Sequence, residues 1–213
     1  MAKSPHPPGV DALASTEPAW LALPAGTILA RVYYTRSRHA LAWNAFRHAG
    51  PVDARWDHHP PNASGEPTPQ RRSIYYCATD AKTCLAECFQ VTRRIDRAYQ
   101  APWLVVFELA QSVTLVNLRE DFATRMGASM AIHSGSRARA RAWARALYEA
   151  FPQAQGILYD SSMNSGAPAV ALNDRAEALE IFPTHPLLHR ALADDAMVDM
   201  LKTAAAGLGY GLR

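Results

Sequence analysis

The chain has 213 residues, of which 49% are hydrophobic and 19% are charged, and its formal net charge is +3. This balance is typical of a globular protein and excludes a disordered chain. The net charge fits a phosphate-bearing ligand but is too small to indicate a nucleic-acid-binding protein by itself.

No segment of the sequence resembles a membrane helix or a secretion signal. The longest apolar runs fall short of the roughly 20 residues that a membrane helix needs. Prolines interrupt the N-terminus where a signal peptide would need an apolar core. The three cysteines are clustered and odd in number, which is unlike an extracellular disulfide framework. We therefore expect a soluble, cytoplasmic protein.

The predicted elements mix strands and helices without strict alternation. Residues 1–25 are rich in Pro, Ala and Ser and are interpreted as a flexible leader before a domain of residues 26–213. Residues 57–72 have almost no apolar content and are predicted to form a long loop. The predicted strands are 27–34, 73–78, 103–110, 113–118, 156–162, 167–173 and 178–183. The predicted helices are 40–50, one that Thr79 or Asp80 caps, 134–152 and 185–207. This order favours a single α+β domain on a mixed sheet.

Glu87 stands within the apolar run LAECF of a predicted helix. The pattern by itself favours a boundary position whose carboxylate reaches water. The alternative is a partly desolvated carboxylate that faces a cleft and stabilises developing positive charge. The apolar face of this helix would contain Ala81, Cys84, Leu85 and Cys88.

Other polar and aromatic positions also have two interpretations. Arg31, in the first predicted strand, is either an edge charge or a planar donor to a phosphate or carboxylate. Arg55 begins the polar loop, where an arginine is ordinarily solvated. Tyr75 and Tyr76 point to opposite faces of one strand, so one can enter the core and the other can stack on a planar ring. Ser161 ends a predicted strand and either caps a turn or donates to a ligand.

Two residue clusters suggest other functions. Cys77, Cys84 and Cys88, together with His58 and His59, raise a zinc hypothesis. The spacing C-x6-C-x3-C is not a usual zinc pattern, so reduced, buried cysteines and no metal are expected. Dinucleotide, Walker A, hydrolase and zincin signatures are also missing from the sequence.

The predicted helix 134–152 is rich in arginine. Arg137, Arg141 and Arg145 follow one another at four-residue spacing, with Arg139 nearby. They form either a solvated face or a docking surface for an acidic partner or nucleic acid. The second interpretation describes a binding module in which Glu87 has no chemical role.

The order of these motifs resembles the RES domain, a family named for its Arg, Glu and Ser and found in toxins of bacterial toxin–antitoxin pairs. The first motif is RVYY, which contains Arg31, and the second is ARWD, which contains Arg55. The segment YCATDAKTCLAE follows and places Tyr76 eleven residues before Glu87. The last motif is GILYDS, which contains Ser161 and precedes SGAPAVALN. The resemblance spans about residues 27–183. The chain departs from it at Asp53 and Ala54, where many relatives have Gly-Gly.

The resemblance implies a fold similar to ADP-ribosyltransferase toxins, on a mixed, largely antiparallel sheet, and consumption of NAD as a substrate without a metal. By match, Glu87, Arg31 and Tyr76 are the implied catalytic residues. Arg31, Arg55, Tyr76 and Ser161 are the implied NAD-binding residues, although the adjoining Ser162 could replace Ser161.

The resemblance also implies partners. An Xre-type antitoxin with a helix-turn-helix DNA-binding domain would inhibit the toxin. The acceptor of ADP-ribose would be a protein, phosphate or water. Direct contact with nucleic acid or a membrane is not expected on this interpretation.

Overall fold

One mixed sheet forms the centre of the structure. The computed structural model describes residues 5–213, and within this range nine strands form the main sheet and two more form a small separate pair. The strands are β1 (Trp20–Leu23), β2 (Ile28–Tyr34), β3 (Arg47–Gly50), β4 (Thr68–Ala78), β5 (Arg94–Ile95), β6 (Pro102–Glu108), β7 (Val113–Asn117), β8 (Gly156–Asp160), β9 (Pro168–Asn173), β10 (Leu188–Ala191) and β11 (Gly211–Leu212). The helices are α1 (Val10–Ala14), α2 (Ala81–Cys88), α3 (Phe122–Arg125), α4 (Arg137–Ala150), α5 (Asp174–Glu177) and α6 (Val198–Leu208), with 3₁₀ turns at Met130–Ile132 and Asp195–Met197.

The strand order of the main sheet is β1-β7-β8-β9-β4-β2-β6-β10, and β3 pairs with β4. Within the described chain, β7 and β8 are the one parallel pair of this sheet, and its other pairs are antiparallel. This confirms the predicted single α+β domain on a mixed, largely antiparallel sheet. Among residues 5–213, no helix is both long enough and apolar enough to cross a bilayer.

The sheet is covered on both faces. On one face, Leu85 of α2, Trp143 of α4 and Leu201 of α6 belong to one buried cluster. On the other face, Phe46 belongs to a second buried cluster. Strand alternation divides neighbouring residues between the two clusters, so Tyr75 lies fully buried in the second while Tyr76 packs against the first.

A gap in strand pairing lies at the centre of the sheet. Within residues 5–213, β2 pairs with β4 only through Ala30 and Ala78. β3 pairs with β4 from Ile74 towards the start of the strand. Between Ile74 and Ala78, the described chain provides no strand partner on this edge of β4. A cleft can therefore open between β2 and β4 without breaking other pairs.

Two predicted elements in the first half of the chain were wrong. Residues 40–50, predicted as a helix, end in strand β3, because Arg47 and the residues after it pair with β4. The predicted loop 57–72 is shorter than expected, because Thr68 already begins β4. In both cases strand pairing with residues distant in sequence overrides the local pattern.

Two predictions near the C-terminus were also wrong. Residues 178–183 form turns and coil after α5, and their apolar pattern reflects burial of Ile181 rather than a strand. The predicted helix 185–207 is divided, because β10 pairs with β6 before α6 begins. The predicted helix 134–152 is observed as α4, with Pro152 just after it.

Most of the predicted leader is folded against the domain. β1 pairs with β7, and Leu13 of α1 is fully buried. The Trp143 indole N–H donates a hydrogen bond to the Pro5 carbonyl at 3.0 Å. Residues 1–4 of the predicted leader lie outside the described residues.

Candidate active site

A cleft with a volume of about 350 Å³ opens where β2 and β4 separate. This volume is within the range of about 300–1,000 Å³ that ligand pockets occupy. Four of the five predicted site residues line it, namely Arg31, Arg55, Tyr76 and Glu87. Ser161 is not among the lining residues, but its neighbour Ser162 is.

Glu87 and Ser161 form a direct pair. Ser161 is fully buried, and its Oγ donates a hydrogen bond of 2.6 Å to Glu87 Oε1. The same Oγ accepts hydrogen bonds from the Met163 and Asn164 amides, both at 3.2 Å. These three bonds use the one donor and both acceptor positions of the Ser161 hydroxyl, so it has none left for a ligand in the cleft. Its role is to hold one oxygen of the half-buried Glu87 carboxylate in place.

The N-terminus of α2 is bonded to the same loop that carries Ser161. Asp80 caps the helix, since its Oδ1 accepts from the Thr83 amide and its Oδ2 from the Thr83 hydroxyl, both at 2.7 Å. Asn164 Nδ2 in turn donates to Thr83 Oγ1 at 2.8 Å. Two bonds thus connect α2 to the loop after β8, which fixes the position of Glu87.

Arg55 is half-buried, not a solvated loop residue. Its Nη1 donates to the carbonyls of Ile132 at 3.3 Å and Gly135 at 2.8 Å. Burial lowers the pKa of Arg55, and the nearby Glu87 carboxylate partly offsets this effect. An arginine remains charged at neutral pH, so a fixed positive charge lies near Glu87.

The loop that carries Arg55 is organised by the fully buried Asp57. Its carboxylate accepts hydrogen bonds from Arg47 Nη2 at 2.9 Å, the Val52 amide at 2.7 Å and the His59 amide at 3.1 Å, and His59 Nδ1 lies 2.6 Å away. Burial alone would raise the pKa of Asp57, but His59, Arg47 and the Val52 amide together hold it well below its usual range. The loop is therefore held around an ionised carboxylate.

Arg31 reaches the cleft in a different environment. Its Nη1 donates to the Ala45 carbonyl at 3.2 Å, and its guanidinium carbon lies 4.1 Å from the centre of the Tyr75 ring. These contacts hold the side chain at the gap between β2 and β4. The structure thus brings Arg31 into the cleft but not into the hydrogen-bonded pair of Glu87 and Ser161.

Two tyrosines in the cleft remain neutral phenols. The Tyr76 ring lines the cleft, while its hydroxyl is buried near the Trp56 backbone without a well-formed hydrogen bond to any residue of 5–213. Burial raises the pKa of Tyr76. Burial and the Glu87 carboxylate both raise the pKa of Tyr159. Neither hydroxyl is therefore a source of negative charge near neutral pH.

Several lining residues were missed or misinterpreted from the sequence, among them His133, Tyr159, Asp53 and Arg137. Tyr159 lies within the GILYDS motif, which was the one available signal for it. His133 has no motif; its Nε2 donates to the Leu118 carbonyl at 3.0 Å and its Nδ1 accepts from the Asp160 amide at 3.3 Å. It thereby holds the end of β8, next to Ser161.

The three cysteines also line the cleft. Burial raises the pKa of Cys77 to about 12 and that of Cys88 to about 11, so both thiols are protonated and weakly nucleophilic. Over the described residues, no three His, Cys, Asp or Glu side chains are grouped so as to hold a metal ion.

The arginines of α4 do not form a free solvated face. Arg137, Arg141 and Arg145 are all partly buried. Arg137 and Arg141 form ion pairs with Asp53 at 2.9 Å and 2.7 Å. These two arginines therefore brace the loop beside the cleft.

Comparison with known proteins adds a family and a fold. The sequence matches the RES domain over residues 28–192. The fold is similar to that of a chain in the crystal structure of the M. tuberculosis MbcT–MbcA toxin–antitoxin complex, with a TM-score of 0.58 and 14% sequence identity, over 91% of this chain and 96% of that chain. At this identity the likeness concerns the fold alone. A search of curated proteins gave no match.

Proposed function

The chain belongs to the RES domain family, and from this membership and the cleft we propose that it is the NAD-consuming toxin of a toxin–antitoxin pair. The proposed reaction cleaves the nicotinamide–ribose bond of NAD and passes ADP-ribose to a protein, phosphate or water. The pair of Glu87 and buried Ser161, in a cleft lined by Arg31 and Arg55, carries this proposal.

The chemistry of the bond suits a fixed carboxylate. When nicotinamide leaves with the electron pair of the bond, positive charge develops on the ribose, as in glycoside cleavage. One oxygen of Glu87 is held by Ser161, so the other is available to stabilise that charge or to bind a ribose hydroxyl or the acceptor. A preorganised group of this kind contributes about 3–4 kcal/mol to the transition state.

The remaining lining residues suit the other parts of the substrate. The Tyr76 ring can stack on the planar nicotinamide. Arg31 and Arg55 offer forked N–H donors to the pyrophosphate or ribose oxygens, and Arg55 is already oriented by two carbonyls. Because the substrate is NAD, we place the protein in the cytoplasm.

The direct test is incubation of the purified chain with NAD, phosphate and bacterial extract, followed by mass spectrometry of the products. Release of nicotinamide is expected, and the ADP-ribose product identifies the acceptor. Glu87→Gln serves as the inactive variant and Glu66→Gln, in the exposed loop, as its matched control. Absence of nicotinamide release and of protein-linked ADP-ribose, with and without extract, would reject the proposal. If the chain instead binds nucleic acid and leaves NAD intact, the alternative would be favoured, in which the arginines of α4 form a binding surface and Glu87 has no chemical role.

We also infer that the partner is an antitoxin of the Xre type. A cleft with Arg31 and Arg55 on its walls attracts carboxylates as well as phosphates, so we expect an acidic side chain or C-terminal carboxylate of the antitoxin to enter it. Expression of the chain alone should be toxic, and the antitoxin should compete with NAD. Equal antitoxin affinity with the NAD site saturated would contradict this mode of inhibition.

A further inference from the structure

Arg137 connects the two sides of the cleft mouth. It is the first residue of α4 and lines the cleft. Its Nη1 donates to the Asp53 carboxylate at 2.9 Å and contacts the Asp53 carbonyl at 3.3 Å, on the loop side, and its Nη2 donates to Gln90 Oε1 at 2.9 Å, just beyond α2. Asp53 and Gln90 also line the cleft. The guanidinium is thus already placed at the entrance, with its donors directed to two residues.

The Asp53 carboxylate has a second cationic partner. Arg141 Nη1 donates to Asp53 Oδ1 at 2.7 Å and contacts the Val52 carbonyl at 3.5 Å, and Arg141 does not line the cleft. The carboxylate would therefore remain paired with Arg141 if Arg137 moved away. The Asp53 side chain is 70% exposed, so the bond between Asp53 and Arg137 is an exposed ion pair, of the kind that contributes little to stability.

The other two arginines of the cleft are held differently. Arg55 Nη1 is bonded to two backbone carbonyls, and Arg31 lies against the Tyr75 ring. Arg137 is thus the lining arginine whose shorter bond on the loop side is to an exposed carboxylate, at 2.9 Å, while its contact with the Asp53 carbonyl is longer, at 3.3 Å. Another anion can replace that carboxylate. A phosphate group can accept two parallel hydrogen bonds from a guanidinium, whereas the Asp53 carboxylate accepts from Arg137 through one oxygen and from Arg141 through the other.

We propose that Arg137 is a specificity-determining residue that exchanges Asp53 for a phosphate of the bound dinucleotide, while Arg141 retains Asp53. This inference rests on the proposed NAD-consuming function and deepens it. It makes the entrance of the cleft selective for ligands that carry phosphate. It also makes Asp53 an internal competitor of that phosphate.

Equilibrium binding of two probes tests the exchange. ADP-ribose carries the pyrophosphate, and nicotinamide riboside carries none. Arg137→Ala should weaken ADP-ribose binding about ten- to hundredfold, the equivalent of one charged hydrogen-bonding interaction, and change nicotinamide riboside binding less than about threefold. Asp53→Asn should tighten ADP-ribose binding, because the competing charge is removed. Arg139→Ala is the matched control and should leave ADP-ribose binding unchanged, since Arg139 lies on the same helix and does not line the cleft.

The outcomes separate this inference from the proposed function. Wild-type affinity for ADP-ribose in Arg137→Ala would overturn the exchange while leaving the function intact. Equal losses in Arg137→Ala and Arg139→Ala, or equal losses for both probes, would do the same. Failure of the wild-type chain to bind NAD and ADP-ribose would overturn both. Arg137→Gln, which keeps a donor to Gln90 or Asp53, provides a second variant if Arg137→Ala does not fold, and it should show the same selective loss.

Discussion

Ser161→Ala is the sharpest perturbation of the site, because it removes a contact behind Glu87 without altering the lining of the cleft. The variant removes the 2.6 Å hydrogen bond to Glu87 and the acceptor of the Met163 and Asn164 amides. A hydrogen bond to a charged group contributes about 1.5–3 kcal/mol. Met163 and Asn164 lie in a partly exposed turn, where water can replace the lost acceptor.

We therefore expect Ser161→Ala to lower the free energy of unfolding by about 1.5–3 kcal/mol, which corresponds to a Tm decrease of about 3–12 °C for a chain of this size. If the bond also orients Glu87 in the transition state, loss of about 1.5–3 kcal/mol lowers kcat about 10- to 150-fold. KM should change little, because Ser161 does not line the cleft. Thermal unfolding followed by circular dichroism and NAD turnover measured well below Tm provide the two readouts.

Ser162→Ala is the matched control. Ser162 is exposed and lines the cleft, so its removal should shift Tm by less than about 2 °C and affect KM more than kcat. A larger loss of kcat in Ser162→Ala than in Ser161→Ala would show that Ser162 is the site serine. A lower Tm with wild-type kcat in Ser161→Ala would show that Ser161 only stabilises the fold.

Three further predictions follow from the same geometry. Glu87→Gln should keep the fold, since the amide oxygen can still accept from Ser161, yet kcat should fall about 10²- to 10³-fold relative to Glu66→Gln; an active variant would remove Glu87 from the mechanism. Arg31→Ala should weaken NAD binding about ten- to hundredfold in calorimetry, because a group that binds phosphate or ribose acts before chemistry; unchanged affinity would count against that role. Burial lowers the pKa of both His58 and His133, so the unfolded chain binds a proton at these histidines more readily than the folded protein does. The folded state therefore keeps its full stability above the unfolded pKa of about 6.5 and loses stability as pH falls below that value. The Tm should accordingly decrease from pH 7 to pH 5, and a parallel decrease in His133→Asn would show that His133 does not contribute.

Local patterns in the sequence determined much of the fold. Apolar and β-branched runs bounded by turn residues predicted β2, the end of β4 and the strands from β6 to β9. Such runs are recognisable because β7, β8 and β9 are buried along almost their whole length. The helical face of α4 and the cap of α2, predicted as Thr79 or Asp80 and observed as Asp80, also depend on residues within a turn or two. The resemblance of the motif order to the RES domain implied Arg31, Arg55, Tyr76, Glu87 and Ser161, and the first four of these line the cleft.

Only the tertiary structure decided how these residues meet. Glu87 and Ser161 are 74 positions apart, and no local pattern shows that the serine lies behind the carboxylate rather than in the cleft. The ion pair of Arg137 and Asp53 spans 84 positions. The arginine spacing of this helix predicted either a solvated face or a docking surface, whereas in the structure two of its arginines bind a loop beside the cleft. The gap between β2 and β4 likewise depends on where β3 pairs with β4, because pairing between distant strands is chosen by the packing of the whole sheet and not by the residues of one strand.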